Sequence, residues 1–309
     1  MTLPNVIVLG VAKAGTTSLY HYLRQHPQVE VSRIREPKFL FYAGSLQQPA
    51  SRRLENIPVR TLEQYEALYS QGDPCAARVD ISPIYFSRPE QTILGIQQYV
   101  PNAKLLIVFR QPADRAYSAY LMYVREGNES IRNFAQALEA EAAGVPGRNG
   151  HRRHFLSGSW YADRTRKLLA AFPRRQFHFL LYEDFARQPE QFMQSVFRIL
   201  AVDPEFPLQM TQRHNAGTWP RHASLQRLLS WRLRVPKRIR GLLPSLIRRQ
   251  FTSSIQSLGF ERPTSLDPEL RRALTNRFRD DILDLQTLID RDLSEWLLEP
   301  PGREKSGSD

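Results

Sequence analysis

A short apolar run that leads into a glycine-framed turn restricts the fold of this chain more than any other feature. Residues 6–20 read VIVLGVAKAGTTSLY, in which Gly10 and Gly15 enclose four residues and Thr16 opens an amphipathic stretch. The pattern predicts a buried strand, a tight loop and a helix in succession. Such a loop points backbone N–H groups at an anion, and the helix N-terminus adds the positive end of its dipole. The alternative is a turn that only caps the helix.

The lysine of this loop is displaced from the place it occupies in nucleotide triphosphatases. Their loop reads GxxxxGK[ST], with the lysine directly after the second glycine. Here Thr16 fills that position, and the only lysine of the loop is Lys13. The loop therefore predicts a site for a phosphate-like group that is held differently from ATP in an ATPase.

Apolar runs and helical patterns alternate through the first two thirds of the chain, which favours a parallel sheet covered by helices. The predicted strands are Val6–Leu9, Val29–Val31, Arg78–Ile81, Lys104–Phe109 and Gln176–Tyr182. The predicted helices are Thr17–Gln25, Leu62–Tyr69, Pro89–Tyr99, a segment from about Asp114 to Glu126, Trp160–Ala171 and Pro189–Leu200, followed by a long helical region over Pro268–Leu298. Residues 43–60 are predicted to form an excursion of the chain, a loop on the surface. We expect an α/β fold with one domain over residues 1–299 and a disordered tail over residues 300–309.

Charge is distributed unevenly along the chain, whose net charge is +12. No Asp or Glu occurs from Phe206 to Phe260, where ten Lys and Arg residues fall. Three interpretations of segment 221–249 stay open: an acidic acceptor site, a membrane-surface contact, or a solvated basic face. Nucleic-acid binding is disfavoured because no recognition motif accompanies the charge.

Neither a signal peptide nor a membrane-spanning segment is indicated by the sequence. No apolar run approaches the roughly 18–20 residues that span a bilayer, and no basic segment precedes the first apolar run. A cytoplasmic enzyme is therefore the expectation. The one cysteine, Cys75, excludes an internal disulfide.

A second anion site is predicted where the KLLIVF run ends. Arg110 directly follows this strand, and Ser118 lies eight residues further on, in the following helix. Ligands of open α/β sheets bind at the carboxyl ends of the strands. Arg110 alone also fits a structural ion pair, and Ser118 alone an exposed helical serine. Together with the first loop, they fit a nucleotide that carries phosphates at two places.

Several segments of the chain, in order, resemble the sulfotransferases. They are GVAKAGTTSL, REPKFLFY, VDISPIYF, LLIVFRQPADRAYSAY and LLYEDF, with RDLSEW near the C-terminus. The REP segment is most similar to heparan-type and related bacterial carbohydrate sulfotransferases. The resemblance implies 3′-phosphoadenosine 5′-phosphosulfate (PAPS) as donor, its desulfated form PAP as product, and no required metal.

The resemblance also implies roles for individual residues. The phosphosulfate would be held by Lys13, Ala14, Gly15, Thr16, Thr17 and Ser18, and the 3′-phosphate by Arg110 and Ser118. A later nucleotide-covering loop would include Asn215, Gly217, Thr218, Trp219 and Arg221. Glu36 would be the general base and Lys13 would stabilise the leaving phosphate.

The acceptor side departs from the family pattern. Lys38 and Phe41 stand where the family often has His and another acid, Asp80 matches a usual Glu, and Ile81 replaces a usual Lys. Lys38 and Asp80 are candidate acceptor-binding residues, and Asp80 equally fits a structural carboxylate. The acceptor is expected to be a carbohydrate or glycolipid, attacked through a hydroxyl or an amine.

Two other functions remain as alternatives. A P-loop nucleotide kinase predicts a lysine at position 16 and a Mg²⁺-binding Asp at the end of an apolar strand. A non-catalytic polyanion- or membrane-binding protein is favoured by segment 221–249 and disfavoured by the intact set of Lys13, Glu36, Arg110 and Ser118. No cluster of His, Cys, Asp or Glu has the spacing of metal ligands.

Overall fold

Five short strands form a parallel sheet in the order β2–β3–β1–β4–β5 in the computed structural model, which describes residues 2–47, 57–69, 77–210, 219–220, 260–261 and 265–298. The strands are β1 (Val6–Gly10), β2 (Val29–Val31), β3 (Ala77–Ile81), β4 (Lys104–Phe109) and β5 (Phe177–Leu181). Every residue of β1 is buried, as expected for the central strand of a parallel sheet with both faces covered. The predicted α/β fold is confirmed.

Helices follow the strands in the order that the alternating pattern predicts. They are α1 (Thr16–Leu23), α2 (Phe39–Leu46), α3 (Leu62–Glu66), α4 (Ile84–Ser87), α5 (Pro89–Tyr99), α6 (Pro112–Arg125), α7 (Phe134–Ala142), α8 (Ala162–Ala171), α9 (Tyr182–Arg187), α10 (Pro189–Leu200), α11 (Pro268–Arg277), α12 (Arg279–Ile289) and α13 (Ser294–Leu297). Two-residue strands β6 (Trp219–Pro220) and β7 (Phe260–Glu261) pair antiparallel. Among the described helices, none combines the length and apolarity needed to cross a membrane.

Parallel pairing brings the carboxyl ends of neighbouring strands to one edge of the sheet. β1 pairs with β3 on one side and with β4 on the other, and β4 pairs with β5. The segments that follow β3, β1, β4 and β5 therefore meet at this carboxyl edge.

The described residues divide into two compact units. The first lies within residues 1–112, 160–214 and 276–298 and holds the five-stranded sheet, whereas the second lies within residues 113–159, 215–275 and 299–309. In the second unit, buried Arg115 donates to the carbonyls of His154 and Phe155. Buried Arg153 and Glu129 form an ion pair there, with Arg153 Nε 2.5 Å from Glu129 Oε2.

The segment over residues 43–60 is not a surface excursion at its start, because α2 continues to Leu46. Gly44, which falls in this predicted excursion, permits a close crossing of α2 with α5. A Cβ atom on Gly44 would lie 1.7 Å from Gln91 O, and one on Gly95 would lie 2.0 Å from Leu40 O. The two helices therefore touch backbone to backbone, and α2 has a fixed position in the first unit.

Three further differences from the sequence predictions concern helices. The helices α2, α4, α7 and α9 were not predicted, and Tyr182 begins α9 instead of ending β5. The long helical region over 268–298 is interrupted at Phe278 and again between Asp290 and Leu293. The predicted tail and the basic segment 221–249 lie outside the described residues.

Candidate active site

The loop after β1 has the backbone of an anion cradle. Lys13 and Gly15 adopt positive φ angles of 76° and 83°, and α1 begins directly afterwards at Thr16. Because its N-cap residue is a glycine, that residue supplies no side-chain oxygen to the first turn of α1. Such a turn presents N–H groups and a positive dipole end to a ligand.

Gly15 also lies close to two aromatic rings, where a side chain would be crowded. A Cβ atom at this position would lie 3.2 Å from Cδ2 of Tyr182 and 3.4 Å from Cδ1 of Phe185. The ring of Tyr182 therefore packs directly against the loop. Thr16, Ser18 and Ala14 are buried beside it.

Arg110 connects the end of β4 to this loop. Its Nη1 donates to the Lys13 carbonyl at 2.9 Å, and its guanidinium lies 4.4 Å from the centre of the Tyr182 ring. The cation–π contact and the hydrogen bond hold the side chain on the same sheet edge as the loop. The structure thus brings together Lys13, Gly15 and Arg110, as the sequence predicts for two anion sites on one edge.

A carboxylate at the end of β5 fixes the turn that carries Arg110. Glu183 Oε1 accepts a hydrogen bond from the Gln111 N–H at 2.9 Å, and the Gln111 side chain donates to the Trp296 carbonyl at 3.3 Å. The Tyr161 hydroxyl donates to the Arg110 carbonyl at 2.9 Å. Burial raises the pKa of Glu183, while the Gln111 N–H and the Arg110 charge act in the opposite direction.

Glu36 lies in a turn of unusual backbone geometry between β2 and α2. Glu36 and Lys38 both have positive φ angles, 57° and 61°, a conformation that non-glycine residues adopt rarely. Glu36 Oε2 lies 3.6 Å from Lys38 Nζ, and the Glu36 side chain is 38% exposed. The carboxylate therefore has access to solvent while its main chain is constrained.

Asp80 is fully buried at the end of β3 and accepts hydrogen bonds from three side-chain hydroxyl groups. The hydroxyls of Tyr65 and Tyr85 both donate to Oδ2 at 2.7 Å, and Ser82 Oγ donates to Oδ1 at 2.9 Å. Burial raises the pKa of Asp80 to about 6, against the opposite effect of these hydrogen bonds. Nearby Glu36 raises this pKa further. Asp80 could be an acceptor-binding residue or a structural carboxylate, and its complete burial favours the structural role. The burial also disfavours Asp80 as a Mg²⁺ ligand.

The predicted nucleotide-binding residues that follow Arg110 in the chain lie on α6, in β6 or outside the described part of the chain. Ser118 lies on α6 in the second unit and is half-buried. Trp219 is described only as part of the strand β6. Asn215, Gly217, Thr218 and Arg221 lie outside the described residues. Within the described part of the chain, no group of three or more His, Cys, Asp or Glu side chains is arranged to hold a metal ion.

Sequence reasoning missed the roles of Tyr182, Glu183, Tyr65 and Tyr85. The segment LLYEDF was predicted to end a strand. The contacts of Tyr182 and Glu183 with the segments after β1 and β4 follow only from the order of the strands in the sheet. His26 is a buried structural residue, because its ring nitrogens bond the Gln28 N–H and the Asp203 carbonyl at 3.1 and 3.0 Å.

Comparison with known proteins identifies the family. The model of the sulfotransferase family matches residues 4–206, which is more than half of the chain. The chain belongs to the sulfotransferase family. This result excludes the kinase alternative and makes the protein an enzyme of a known transferase class.

Curated relatives of this sulfotransferase include heparan sulfate enzymes. It is 26% identical over 66% of its length to bifunctional heparan sulfate N-deacetylase/N-sulfotransferase 4 of Mus musculus, of which 23% is covered. It is 23% identical over 99% of its length to the corresponding enzyme 2 of Bos taurus, of which 32% is covered. The sulfotransferase thus spans about a quarter to a third of the length of these relatives.

A solved structure matches the sulfotransferase over nearly its whole length. A sulfotransferase from Alicyclobacillus acidocaldarius superimposes with a TM-score of 0.69 at 25% identity, covering 96% of this chain and 99% of that chain. The α/β architecture is therefore shared with a known sulfotransferase structure.

Proposed function

We propose that this enzyme transfers a sulfuryl group from PAPS to a hydroxyl or amine of a carbohydrate or glycolipid acceptor. The observation that carries the proposal is the junction of Lys13, Arg110 and Tyr182. It joins the loop after β1 to the end of β4 through a 2.9 Å hydrogen bond and a 4.4 Å cation–π contact. One ligand with two anionic groups suits such a pair of adjoining cationic sites.

The residues present fit this donor. Positive φ angles at Lys13 and Gly15 shape a loop that is suited to a phosphate-like group, and α1 begins behind it. We propose that the phosphosulfate is held by Lys13, Ala14, Gly15, Thr16, Thr17 and Ser18, and that Arg110 contacts the 3′-phosphate. Bound PAPS supplies an activated sulfuryl group with a good leaving phosphate, and the proposal requires no metal.

In the proposed reaction, Glu36 accepts the proton of the acceptor hydroxyl while the acceptor oxygen forms its bond to sulfur. Lys13 and the loop N–H groups stabilise the negative charge that grows on the departing phosphate oxygen as the old S–O bond breaks. Electrostatic groups that are held in place before the reaction typically supply the largest part of catalysis. A positioned general base typically adds about 10²–10⁴-fold.

The acceptor side supports an acidic acceptor. Arg33 and Arg35 are exposed immediately before Glu36, and Lys38 follows it at ion-pair distance. The names of the curated relatives refer to heparan sulfate, an anionic glycan, as their substrate. Lys38 is accordingly proposed to contact the acceptor.

Calorimetry of nucleotide binding tests the donor assignment. PAP is titrated into the protein in the presence of EDTA, with 5′-AMP and ATP as matched ligands. Tight binding of PAP with much weaker binding of 5′-AMP is expected, because only PAP carries the 3′-phosphate. Equal affinity for PAP and 5′-AMP contradicts the two-site assignment.

A labelled-sulfate screen tests the transfer and identifies the acceptor. Sulfate-labelled PAPS is incubated with neutral glycans, acidic glycans, glycolipids, phenols and amines. Labelling of a glycan or glycolipid is expected, and Glu36→Gln serves as the inactive control. Labelling of phenols alone would overturn the acceptor class but not the donor.

A further inference from the structure

The turn that carries Glu36 is anchored by two backbone hydrogen bonds to hydroxyl groups. The Lys38 N–H donates to Ser82 Oγ at 3.2 Å, and the Leu40 N–H donates to the Tyr85 hydroxyl at 3.3 Å. Ser82 and Tyr85 are both fully buried. These bonds hold the residues just after Glu36, in a turn where Glu36 and Lys38 have positive φ angles.

Both anchoring hydroxyls donate their own hydrogen to Asp80. Ser82 Oγ donates to Oδ1 and the Tyr85 hydroxyl to Oδ2. A hydroxyl has one hydrogen and two lone pairs. Since the carboxylate takes the hydrogen, the lone pairs are directed to the N–H groups of Lys38 and Leu40. The ionised carboxylate of Asp80 can only accept hydrogen bonds, so it sets which way each hydroxyl of Ser82 and Tyr85 donates.

We propose that Asp80 is a positioning residue that holds the Glu36 turn in place through Ser82 and Tyr85. The inference rests on the proposed role of Glu36 as general base. It adds a residue that touches no substrate and acts through two hydroxyl relays. A displacement of about 1 Å at a reacting group can cost about 100-fold in rate, so a relay of this kind has a measurable effect.

Tyr65 offers a matched control within the same cluster. Its hydroxyl donates to the same Oδ2 atom at the same 2.7 Å distance as that of Tyr85. Tyr65 lies on α3 and is equally buried. The Lys38 N–H donates to Ser82 and the Leu40 N–H donates to Tyr85, so neither turn contact involves Tyr65. Tyr65→Phe therefore removes one hydrogen bond to Asp80 and leaves both turn contacts intact.

Hydrogen exchange of the turn tests the relay without any acceptor. Ser82→Ala is expected to accelerate exchange of the Lys38 amide, and Tyr85→Phe that of the Leu40 amide, each by about fivefold to tenfold. Asp80→Asn is expected to accelerate exchange of one of the two amides, because its NH2 group faces either Ser82 or Tyr85 and forces that hydroxyl to accept instead of donate. Tyr65→Phe is expected to leave both amides near the wild-type rate. Equal acceleration in all four variants would overturn the proposal.

Turnover measurements separate positioning from a general structural role. With the acceptor found by the labelled-sulfate screen, Ser82→Ala and Tyr85→Phe are expected to lower kcat by about tenfold or more, with unchanged PAP affinity and a smaller loss in Tyr65→Phe. Matched losses of kcat and PAP affinity would show a structural role only.

The failure of the relay and the failure of the base assignment give different results. If Glu36→Gln abolishes turnover while Ser82→Ala and Tyr85→Phe behave like Tyr65→Phe, the relay is wrong and the base assignment stands. If Glu36→Gln turns over normally, the base assignment is wrong whatever the relay variants do. If Asp80→Asn does not fold, the comparison of Ser82→Ala and Tyr85→Phe with Tyr65→Phe decides the question.

Discussion

The two sides of the carboxyl edge are held by different kinds of contact. After β1, β4 and β5, side chains bond to the main chain: Arg110 donates to the Lys13 carbonyl and Glu183 accepts from the Gln111 N–H. After β3, three hydroxyl groups converge on the buried carboxylate of Asp80. The proposed donor side is thus defined largely by backbone geometry, and the proposed base side by a side-chain network.

This difference indicates which structural features donor binding and proton removal each depend on. The main-chain shape of the donor loop, with its positive φ angles at Lys13 and Gly15, does not depend on a network of side chains, which suits a loop that must bind one nucleotide. The base side depends on the two hydroxyls that join Asp80 to the Glu36 turn, Ser82 and Tyr85, which makes it the more sensitive to changes at those two residues. The predictions below test that asymmetry, from the largest expected free-energy effect to the smallest.

Glu36→Gln is expected to have the largest effect. Removal of the base should lower turnover by about 10²–10⁴-fold, while PAP affinity stays at the wild-type value. Turnover is measured with labelled PAPS and affinity by calorimetry. Glu63→Gln, on the exposed surface of α3, is the matched control and should retain full activity. Near-normal turnover of Glu36→Gln contradicts its role.

Asp80 is expected to make stability depend on pH. Its pKa rises from 3.8 to about 6 on folding, so the folded state holds the proton more tightly. Its contribution is present below pH 4 and is lost as the pH rises through 6, on the order of 3 kcal/mol in total.

The difference between wild type and Asp80→Asn isolates this contribution. Urea unfolding at several pH values should show a steeper loss of stability between pH 4 and pH 6 in the wild type. Glu183 and Asp281, whose pKa values burial also raises, titrate in both proteins and cancel. Parallel curves for the two proteins would count against a proton held by Asp80 in this range.

Arg110→Ala is expected to weaken PAP more than 5′-AMP. A hydrogen bond to a charged group contributes about 1.5–3 kcal/mol, so PAP affinity should fall by roughly 10- to 100-fold. Arg174 is the matched control, because it also stacks on a ring, 4.7 Å from the Phe179 centroid, and bonds a carbonyl. It precedes β5, at the opposite end of the strand. An equal loss for both nucleotides would refute the 3′-phosphate contact.

Glu183→Gln is expected to have the smallest effect. The amide oxygen can still accept from Gln111, so PAP affinity should fall only by the equivalent of about 1 kcal/mol. Asp184→Asn, which breaks an exposed ion pair with Arg291, should leave the affinity unchanged. If Glu183→Gln weakens PAP as much as Arg110→Ala does, the donor side is as dependent on side chains as the base side.

The sequence predicts the donor side better than the base side, for a physical reason. The strand Lys104–Phe109 and the loop around Lys13 are local patterns, and the parallel sheet then places Arg110 at the edge beside the loop. The Asp80 network joins Tyr65, Ser82 and Tyr85, and its link to Lys38 spans 44 residues. Local periodicity carries no signal for such contacts, and the polarity of the hydroxyls follows only from the folded arrangement.

Gly44 shows a second limit of local patterns. A glycine inside a run of mixed residues is typical of a loop, whereas here it allows α2 and α5 to touch. The contact is selected by tertiary packing, which overrides the low helix propensity of glycine.

The backbone contact between α2 and α5 has a consequence for changing the acceptor. Any side chain at Gly44 or Gly95 would collide with main-chain oxygens, so a substitution at either position is expected to displace α2 and the turn of Glu36 and Lys38 that precedes it. A library aimed at new acceptors should leave both glycines untouched and vary the exposed residues 33–35, which precede Glu36. Substitutions at residues 33–35 are therefore expected to be tolerated, whereas substitutions at the two glycines are expected to disturb the turn that carries Glu36.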